Sequence, residues 1–475
     1  MEYLSTHLTK VLTVVDLLAI VIAIPVVLSI KRGTTSAVAW CLVILVLPLV
    51  GPLLFWVFGY TYLHRPLRRK RIQRATFGLR LPPEAKEAIA ENTTWKDLGR
   101  IAWQLDDSPP CAGNAVTLFP DTQAAYAALF EEIAAAKHHV NAEFYIIRAD
   151  KTGKEFLALL TEKARQGVAV RLLFDSLGGF FLGRRALHKL TAAGGRVAAF
   201  LPLNLFRSRL RVNLRNHRKL VVIDGRVGFT GGMNIGNEYL GRDPAFGVWR
   251  DQALRLEGPA VARLQRVFAE DWDFTTKEML KGSKYYPPLR GVGDAIVQVV
   301  ASGPDQEVNV SREFYFASLA TARERVWIAT PYFVPGPGIL DALRLACYRG
   351  ADVRLLLPRV GDHWITQCAS RYYWDDVLAS GAKIFLYTKG MMHAKYLTFD
   401  GNWAVVGSAN VDNRSLNLNF EVGCALFDPK LAAALEQAFL RDQEDAVPVD
   451  RETFERRGYR ARLGENACRL FSPVL

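Results

Sequence analysis

A repeated pattern limits this chain to folds built from two copies of one unit. The pattern is His-x-Lys-x4-Asp-x6-Gly-x-x-Asn, and its two copies are 176 residues apart. The first copy is His217, Lys219, Asp224, Gly231 and Asn234, and the second is His393, Lys395, Asp400, Gly407 and Asn410. A histidine can attack phosphorus or transfer a proton, and lysine and asparagine can hold phosphoryl oxygens. The repeat therefore predicts one phosphodiester-cleaving site made from two halves.

The motif residues are predicted to lie on short buried strands. The runs 219–224 and 395–400 are apolar and rich in β-formers, and each ends in Asp-Gly, which favours a tight turn. On a strand, residues two apart share a face, so each motif histidine lies beside its lysine. Second strands over 227–230 and 403–406 would return the Gly-x-x-Asn segment to the His-x-Lys end. Glycine there allows backbone N–H groups to approach an anion.

The flanking sequence alternates strands and helices in the same order in both halves. The first half has helical patterns over 122–137 and 153–166 and strand patterns over 140–147 and 168–174. The second half has strand patterns over 325–329 and 353–357 around a helical pattern over 339–349. Such alternation predicts an α/β fold of two α/β/α sandwich domains in a pseudo-twofold arrangement.

Two apolar stretches, 11–30 and 37–60, predict an N-terminal transmembrane helical hairpin, since a span needs about 20 helical residues. A cleaved signal peptide is an alternative for the first stretch. The second stretch contains Pro48, Gly51 and Pro52, so a kinked or re-entrant path is an alternative to a straight span. Asp16 is costly in lipid, which predicts a buried partner or function for it, or a place near the membrane face or against the second helix.

Basic residues predict the orientation of this hairpin. The connecting loop has Lys31 and Arg32, whereas the outer flanks have seven basic residues: Lys10, Arg65, Arg68, Arg69, Lys70, Arg71 and Arg74. The positive-inside rule then puts both ends, and everything after residue 62, in the cytoplasm. The six scattered cysteines suit that reducing compartment, and the net charge of +13 favours an anionic partner.

The predicted domains are a transmembrane hairpin over 1–62, a basic juxtamembrane region and linker over 63–112, and two sandwich domains over 113–290 and 291–475. Ten basic residues and no acidic one occur between Ser176 and Ile223. Within that run, Arg207, Arg209 and Arg211 follow apolar residues, which predicts a surface that contacts anionic membrane lipid. A partly buried strand with a solvated basic face is the alternative.

The chain resembles the phospholipase D superfamily and, within it, the bacterial cardiolipin synthases, over almost its whole length. The stretches that carry the resemblance are Asn216–Asp224, Thr230–Ile235, Trp249–Asp251, Met392–Lys395 and Gly407–Glu421, with Ala39–Pro52 resembling the family's membrane hairpin. The resemblance implies two phospholipase D-like domains at the bacterial inner (cytoplasmic) membrane, in a multi-pass protein with its catalytic domains on the cytoplasmic side. It also implies phosphatidyl transfer between two phosphatidylglycerol molecules through a phosphohistidine, which gives cardiolipin and glycerol.

The resemblance further implies roles for individual residues. His217 is expected to be the nucleophile and His393 the acid and base, although the sequence alone leaves that order open. Lys219, Lys395, Asn234 and Asn410 are expected to hold phosphoryl oxygens. Ser408, which occupies the position of Gly232 in the first copy, is expected to help them, and Asp251 and Glu421 are expected to orient the histidines.

Asp224 and Asp400 complete the catalytic motif but lie at the far end of each strand, which favours a structural hydrogen bond or ion pair over direct chemistry. No metal and no cofactor is expected, because the lysines supply positive charge. The expected partners are the membrane and anionic phospholipid, namely phosphatidylglycerol and cardiolipin, and no nucleic acid. The oligomeric state is open, with a homodimer among the options.

Three other functions remain open from the sequence. One is a phospholipase D or transphosphatidylase that uses water or another alcohol, because it passes through the same intermediate. Another is a nuclease of the same superfamily, which the basic charge permits and the membrane hairpin disfavours. The last is an inactive membrane scaffold, which two intact motifs disfavour.

Overall fold

The structure, a computed structural model, describes residues 2–29, 34–59, 93–180, 182–202, 213–243, 247–288 and 290–475. The N-terminal part has helices α1 (Glu2–Ser29), α2 (Thr34–Val46) and α3 (Val50–Leu54), followed by a π-helical segment, Phe55–Gly59. Among the described residues, one helical stretch, Lys10–Ser29, is long and apolar enough to cross a membrane. The apolar part of α2, Ser36–Val46, is shorter than a span.

The second apolar stretch is therefore not one straight helix. It is interrupted between α2 and α3, where Leu49 has a positive φ of 58° and Pro48 lacks a backbone N–H. The Asp16 carboxylate of α1 accepts a hydrogen bond from the Leu49 backbone N–H at 2.6 Å. Asp16 thus satisfies a backbone donor that the interruption leaves unpaired, and the structure gives this acidic residue a partner on the second stretch.

The first half of the remaining chain follows the predicted order of strands and helices. Its strands are β1 (Cys111–Leu118), β2 (His139–Phe144), β3 (Ala169–Asp175), β4 (Arg196–Phe200), β5 (Leu220–Ile223), β6 (Val227–Gly231) and β7 (Ala253–Glu257). Its helices are α5 (Thr122–Ala135), α6 (Lys151–Arg165), α7 (Arg184–Ala192) and α8 (Val261–Thr276), and α4 (Thr93–Asp106) precedes β1. The hairpin of β5 and β6 turns at the predicted Asp-Gly, and both Asp224 and Gly225 have positive φ.

The second half repeats this order. Its strands are β8 (Ala295–Ser302), β9 (Arg325–Ala329), β10 (Phe333–Val334), β11 (Asp352–Pro358), β12 (Lys383–Tyr387), β13 (Tyr396–Phe399), β14 (Trp403–Gly407), β15 (Val411–Asp412), β16 (Glu421–Phe427) and β17 (Ala446–Pro448). Its helices are α9 (Val310–Thr321), α10 (Pro337–Tyr348), α11 (Trp364–Ala379), α12 (Asn413–Asn417), α13 (Pro429–Glu444), α14 (Arg451–Glu455) and α15 (Tyr459–Arg469).

Among the described residues, fifteen strands form one continuous sheet that confirms the predicted duplication. From the antiparallel junction of β1 and β8, the first half runs β1-β7-β6-β5-β2-β3-β4 and the second runs β8-β16-β14-β13-β9-β11-β12, with β17 at the edge. Each half therefore pairs its motif hairpin, β5–β6 or β13–β14, with the parallel strands β2–β3 or β9–β11. The two motif copies occupy equivalent places in the two halves.

Both faces of the sheet are covered, as the α/β/α prediction requires. Because side chains alternate along β2, Val140 and Ala142 lie on one face, in an apolar cluster with Phe156 of α6. Asn141 lies on the other face, where it donates a hydrogen bond to Gln265 of α8 at 3.2 Å. A second apolar cluster in the other half contains Ile328 of β9. Each half thus has a hydrophobic core of its own.

The predicted domain boundaries stay predictions, but two observations bear on the linker. Most of the predicted linker, 63–92, lies outside the described residues, whereas its last part forms α4 and the start of β1. In α4, Leu98 and Ala102 join the core cluster of the second half. The predicted membrane-surface residues Arg207, Arg209 and Arg211 also lie outside the described residues, as do Lys31 and Arg32 of the hairpin loop.

Candidate active site

The two motif histidines are each attached to the opposite half of the molecule. The backbone N–H of His217 donates to the carbonyl of Phe420 at 2.9 Å, and that of His393 donates to the carbonyl of Arg250 at 2.7 Å. Each acceptor immediately precedes one of the two acidic residues expected to orient the histidines. The structure thus brings both motif copies into one site between the halves.

The acidic residues cross over between the halves in the same way. Glu421 of the second half lies with both carboxylate oxygens 3.0 Å from His217 Nδ1. Asp251 of the first half lies with Oδ2 2.6 Å from His393 Nδ1. A carboxylate at Nδ1 fixes the tautomer in which Nδ1 carries the proton, so the other ring nitrogen, Nε2, holds the lone pair. Both carboxylates are fully buried.

Burial sets the protonation of the four central basic side chains. It lowers the pKa of His217 and of His393 to about 4, so both imidazoles are neutral at pH 7. It also lowers the pKa of Lys395 to about 8 and that of Lys219 well below its ordinary value. Burial raises the pKa of Glu421, but His217, Lys219 and the Ser408 hydroxyl outweigh it and keep this carboxyl ionised.

Each motif lysine is directed at the histidine of its own copy. Lys219 Nζ donates to the carbonyl of His217 at 2.6 Å. Lys395 Nζ donates to the carbonyl of His393 and lies 2.9 Å from its Nδ1. Strand alternation produces this contact, because residues two apart point to the same face. Lys395 Nζ therefore lies beside the Nδ1 side of the His393 ring, and Lys219 Nζ lies beside the His217 backbone.

The difference between Gly232 and Ser408 follows from the acidic residue beside each. Ser408 Oγ is buried and donates to Glu421 Oε2 at 2.5 Å, while it accepts the Val422 N–H at 3.0 Å. A Cβ on Gly232 would overlap the Asp251 carboxylate. The missing side chain thus makes room for Asp251. In this structure the Ser408 hydroxyl binds Glu421, whereas the sequence predicted that it helps to hold phosphate.

The two motif asparagines differ in how their amides are occupied. Asn234 accepts the Ile146 N–H at 3.1 Å and donates to the Tyr239 hydroxyl at 3.0 Å. Asn410 donates to Asp412 at 3.1 Å, and its buried Oδ1 has no hydrogen-bond partner among the described residues. Their predicted role in binding phosphoryl oxygens stays a prediction.

The motif aspartates lie away from the histidines and hold backbone. Asp224 accepts the N–H groups of Lys137, His138 and His139 at 2.7–2.8 Å. Asp400 accepts the equivalent N–H groups of the second half, from Arg323, Glu324 and Arg325, at 2.8–3.2 Å. These contacts fix the chain that enters β2 and β9, which is the kind of structural hydrogen bond favoured from the sequence.

Aromatic residues that the motif analysis did not select line both histidines. The ring of Tyr145 lies edge-on to His217 at 5.0 Å, and the ring of Trp249 lies 4.8 Å from His393. The Tyr239 hydroxyl is 3.5 Å from His393 Nδ1. Tyr145 directly follows β2, and Trp249 lies in a stretch quoted for the resemblance, so both had a sequence signal. Tyr239 had none.

Two arginines next to the site were also not selected. Arg218 Nε donates to the carbonyl of Glu421 at 3.1 Å, and its Nη1 pairs with buried Asp271. Arg250 donates to the carbonyl of Asp251, and its Nε pairs with Asp442 at 3.0 Å. Each orienting acid is therefore held at its backbone by a buried arginine. Arg218 stands between His217 and Lys219, where the motif permits any residue.

Two family models match this chain, one at its N-terminus and one over each half of the sheet. A model described as "Cardiolipin synthase, PLD-like domain" matches residues 129–272 and 315–443. A model described as "Phospholipase_D-nuclease N-terminal" matches residues 16–59. The two matches to the first model contain one motif copy each, consistent with the two halves of the sheet.

Known relatives match over nearly the whole chain. A cardiolipin synthase of Geobacillus kaustophilus is 38% identical over 96% of this chain and 92% of that protein. Cardiolipin synthase 2 of Bacillus anthracis is 36% identical over 94% of this chain and 88% of that protein. The crystal structure of phosphatidylserine synthase from Haemophilus influenzae superposes with a TM-score of 0.63 at 15% identity, over 80% of this chain and all of that one. This last likeness supports the fold, and the full-length sequence matches show that the chain belongs to the cardiolipin synthase family of the phospholipase D superfamily.

Proposed function

We propose that the protein is a cardiolipin synthase that transfers a phosphatidyl group from one phosphatidylglycerol to another. The observation that carries this proposal is the crossed pairing of two buried histidines with two carboxylates from opposite halves. That arrangement supplies a nucleophile and a proton-transfer group in one site. The membership of the family and its full-length relatives support the choice of phospholipid as substrate.

In the first step, Nε2 of His217 attacks the phosphorus of phosphatidylglycerol. The bond from phosphorus to the glycerol oxygen breaks, and His393 gives its Nε2 proton to that oxygen, so glycerol leaves. The phosphatidyl group is then bonded to His217. Glu421 stabilises the positive charge on the His217 ring, because its carboxylate accepts the hydrogen bond that Nδ1–H donates.

In the second step, His393 takes the proton of a primary hydroxyl on a second phosphatidylglycerol. That oxygen attacks phosphorus, the bond to His217 breaks, and cardiolipin forms. The proton that left in the first step is thereby recovered by His393. Lys219 and Lys395 stabilise the charge that develops on the phosphoryl oxygens in both steps.

The first step requires His393 to be protonated, although burial and the positive charge of Lys395 lower its pKa to about 4. A phosphodiester carries one negative charge, and a nearby negative charge favours the imidazolium form. Lipid binding therefore raises the pKa of His393, with Asp251 at Nδ1 stabilising the same state. In this account the site becomes competent for proton transfer when the anionic substrate arrives.

The protein is membrane-associated, given the apolar helix Lys10–Ser29 and the N-terminal match over 16–59. The excess of basic residues outside the predicted hairpin supports a multi-pass topology with both ends in the cytoplasm. Tagging either end and measuring its protease protection in sealed inverted vesicles tests this topology. Both tags are expected to be cleaved.

The function is tested by incubating purified protein with phosphatidylglycerol alone and with phosphatidylethanolamine added. Mass spectrometry of lipids and released headgroups is expected to find cardiolipin and glycerol in equal amounts. Phosphatidic acid as the main product would instead identify a phospholipase D that uses water. In a parallel incubation with DNA, cleavage of DNA in place of lipid would identify a nuclease, and no product from either lipid or DNA would support an inactive scaffold.

A further inference from the structure

Two equivalent loops expose large apolar side chains at the ends of equivalent strands. β3 and β11 occupy the same position in the two halves, and each ends at the edge where its motif histidine lies. After β3, Leu177 is 40% exposed and Phe180 is 68% exposed. After β11, Val360 is 64% exposed and Trp364 is 71% exposed. These four residues are called the apolar rim below.

The first rim loop is tied directly to the chain that holds His217. The Asp175 side chain at the end of β3 accepts the N–H groups of Leu177 at 2.9 Å and Gly178 at 3.1 Å. Its other oxygen accepts the N–H of Asn216, the residue before His217, at 2.9 Å. The Asp175 side chain therefore connects Leu177 directly to the residue that precedes His217. This attachment keeps the loop at the rim.

The second rim loop is tied to the His393 side of the site. Asp362, between Val360 and Trp364, accepts the hydroxyl of Tyr332 with its two oxygens at 2.6 and 2.8 Å. Its carboxylate is close enough to contribute to the electrostatics of both His393 and Lys395. The acidic residue of this loop is thus turned toward the site, while its apolar neighbours are exposed.

The charges around the rim suit an anionic lipid surface. No acidic residue occurs from Ser176 to Gly183, and exposed Arg185 follows. The second loop begins with exposed Arg359. Apolar side chains next to arginines favour the boundary between headgroups and acyl chains. The chain also contains an apolar helix long enough to cross a membrane, which places a bilayer within its reach.

We propose that the apolar rim inserts into the surface of the anionic bilayer that contains the substrate. This inference rests on the proposed function, because a phosphatidyl donor keeps its acyl chains in the bilayer while its phosphate must reach the buried histidines. Two rim loops, one from each half, would hold the mouth of the site against the membrane. The lipid phosphate then enters without extraction of the whole lipid into water.

Tyr348 offers a matched control for the rim. It is 65% exposed, and it ends α10 just before β11 begins, whereas Val360 and Trp364 follow the end of that strand. Seven residues of strand separate the two positions by about 20 Å. An aromatic residue at 348 is therefore as exposed as the rim but lies near the opposite end of β11.

The first test measures insertion, independently of catalysis. Full-length Phe180→Trp and Tyr348→Trp variants are reconstituted in phosphatidylglycerol vesicles with and without brominated acyl chains, which quench tryptophan on contact. Relative to the unsubstituted protein, the added fluorescence of Phe180→Trp is expected to be quenched at least twofold more than that of Tyr348→Trp. Equal quenching at both positions overturns the rim proposal, whether or not cardiolipin is made.

The second test separates insertion from chemistry. In Phe180→Ser and Trp364→Ser, the mole fraction of long-chain phosphatidylglycerol that gives half-maximal rate is expected to rise about fivefold each. Turnover of a short-chain phosphatidylglycerol kept below its micelle concentration is expected to change less than twofold, and Tyr348→Ser is expected to change neither. An equal loss on both substrates, or rim variants that behave as Tyr348→Ser does, overturns the proposal. Failure of the unsubstituted protein to make cardiolipin contradicts only the proposed function.

Discussion

The two copies of the motif have the same strands and turns but are held by different acids. His217 faces the longer side chain of Glu421, which the Ser408 hydroxyl supports. His393 faces the shorter side chain of Asp251, which takes the space that a side chain at 232 would need. Glycine in one copy and serine in the other therefore match the acid that enters from the opposite half. A duplicated fold has become two unequal halves of one site.

The arginines extend the same comparison. Arg218 follows His217 in the first copy, whereas Ala394 follows His393 in the second. The backbone of Glu421 is held by Arg218 from the other half, but the backbone of Asp251 is held by its own neighbour, Arg250. Arg218 thus reaches the orienting acid itself from the other half, whereas the contact of Arg250 with the other half is to Asp442. This inequality is consistent with the separate roles proposed for the two histidines.

The largest effect is expected from neutralising the two acids separately. Asp251→Asn should lower the rate on phosphatidylglycerol about 1000-fold, because it impairs the general acid and base. The same substitution should lower the rate on a phosphatidyl p-nitrophenol ester much less, because that leaving group needs no proton. Glu421→Gln should lower both rates strongly, because His217 acts on both substrates. Steady-state rates on the two lipids distinguish these cases.

Glu436→Gln is a matched control, since Glu436 is a buried acid on α13 that pairs with Arg325 at 2.9 Å, away from the histidines. It should leave both rates within twofold. Equal losses in Asp251→Asn and Glu421→Gln on the p-nitrophenol ester would contradict separate roles for the two histidines.

Replacing Gly232 or Ser408 by alanine should have the next largest effect on the rate. Gly232→Ala is expected to reduce the rate on phosphatidylglycerol about 100-fold, because its Cβ displaces the Asp251 carboxylate. Ser408→Ala removes one hydrogen bond to a charged group, worth roughly 1.5–3 kcal/mol, and should reduce the rate about tenfold. Gly338→Ala is the control, because an added Cβ there lies 3.9 Å from Phe316, an ordinary van der Waals distance. A harmless Gly232→Ala would refute the steric explanation.

Shortening each arginine to lysine should have a smaller effect, about threefold, in a different step for each residue. Lysine keeps the charge but loses the forked donor group. Arg218→Lys should slow the reaction of both lipid substrates, because it loosens Glu421. Arg250→Lys should slow phosphatidylglycerol more than the p-nitrophenol ester. Identical substrate dependence of the two variants would show that the arginines serve only to hold the halves together.

The smallest expected effect is a difference in pH dependence between the two substrates, because only the reaction of phosphatidylglycerol needs a protonated His393. The kcat/KM for the p-nitrophenol ester should be constant between pH 5 and 7, because His217, with a pKa of about 4, stays neutral there. It should fall as pH rises through about 8, where Lys395 loses its positive charge. For phosphatidylglycerol the fall should begin at lower pH, because His393 must also be protonated. Coinciding profiles, or an acid limb near 6.5, would contradict this.

The sequence predicted most of the fold, because the motif strands have strong local signals. The patterns over 325–329 and 403–406 lie within two residues of the observed strands, and both Asp-Gly turns have the positive φ that such turns require. The partner of Asp16 was not identified, because a hydrogen bond between residues 33 positions apart depends on how two helices pack. The interruption near Pro48 had a signal in the sequence, but its position did not.

For the site, the sequence supplied the residues but not the pairing between them. Nothing in the linear pattern shows that Glu421 belongs to His217 and Asp251 to His393, because the pairing arises where the two halves meet. The contact of Ser408 with Glu421 was missed for the same reason. The motif permits any residue at the position of Arg218, so the pattern offered no reason to select it. Its hydrogen bond to the Glu421 carbonyl is seen only in the three-dimensional structure.

In the proposed reaction, His217 carries the covalent intermediate and His393 transfers protons. The most direct measurement uses His393→Asn and His217→Asn with the phosphatidyl p-nitrophenol ester, followed by rapid quenching and peptide mass spectrometry. His393→Asn is expected to release a burst of about one nitrophenol per protein molecule, with the phosphatidyl group on His217, whereas His217→Asn is expected to give no burst and no adduct. A phosphatidyl group on His393 of the His217→Asn variant, or no adduct in either variant, would contradict it.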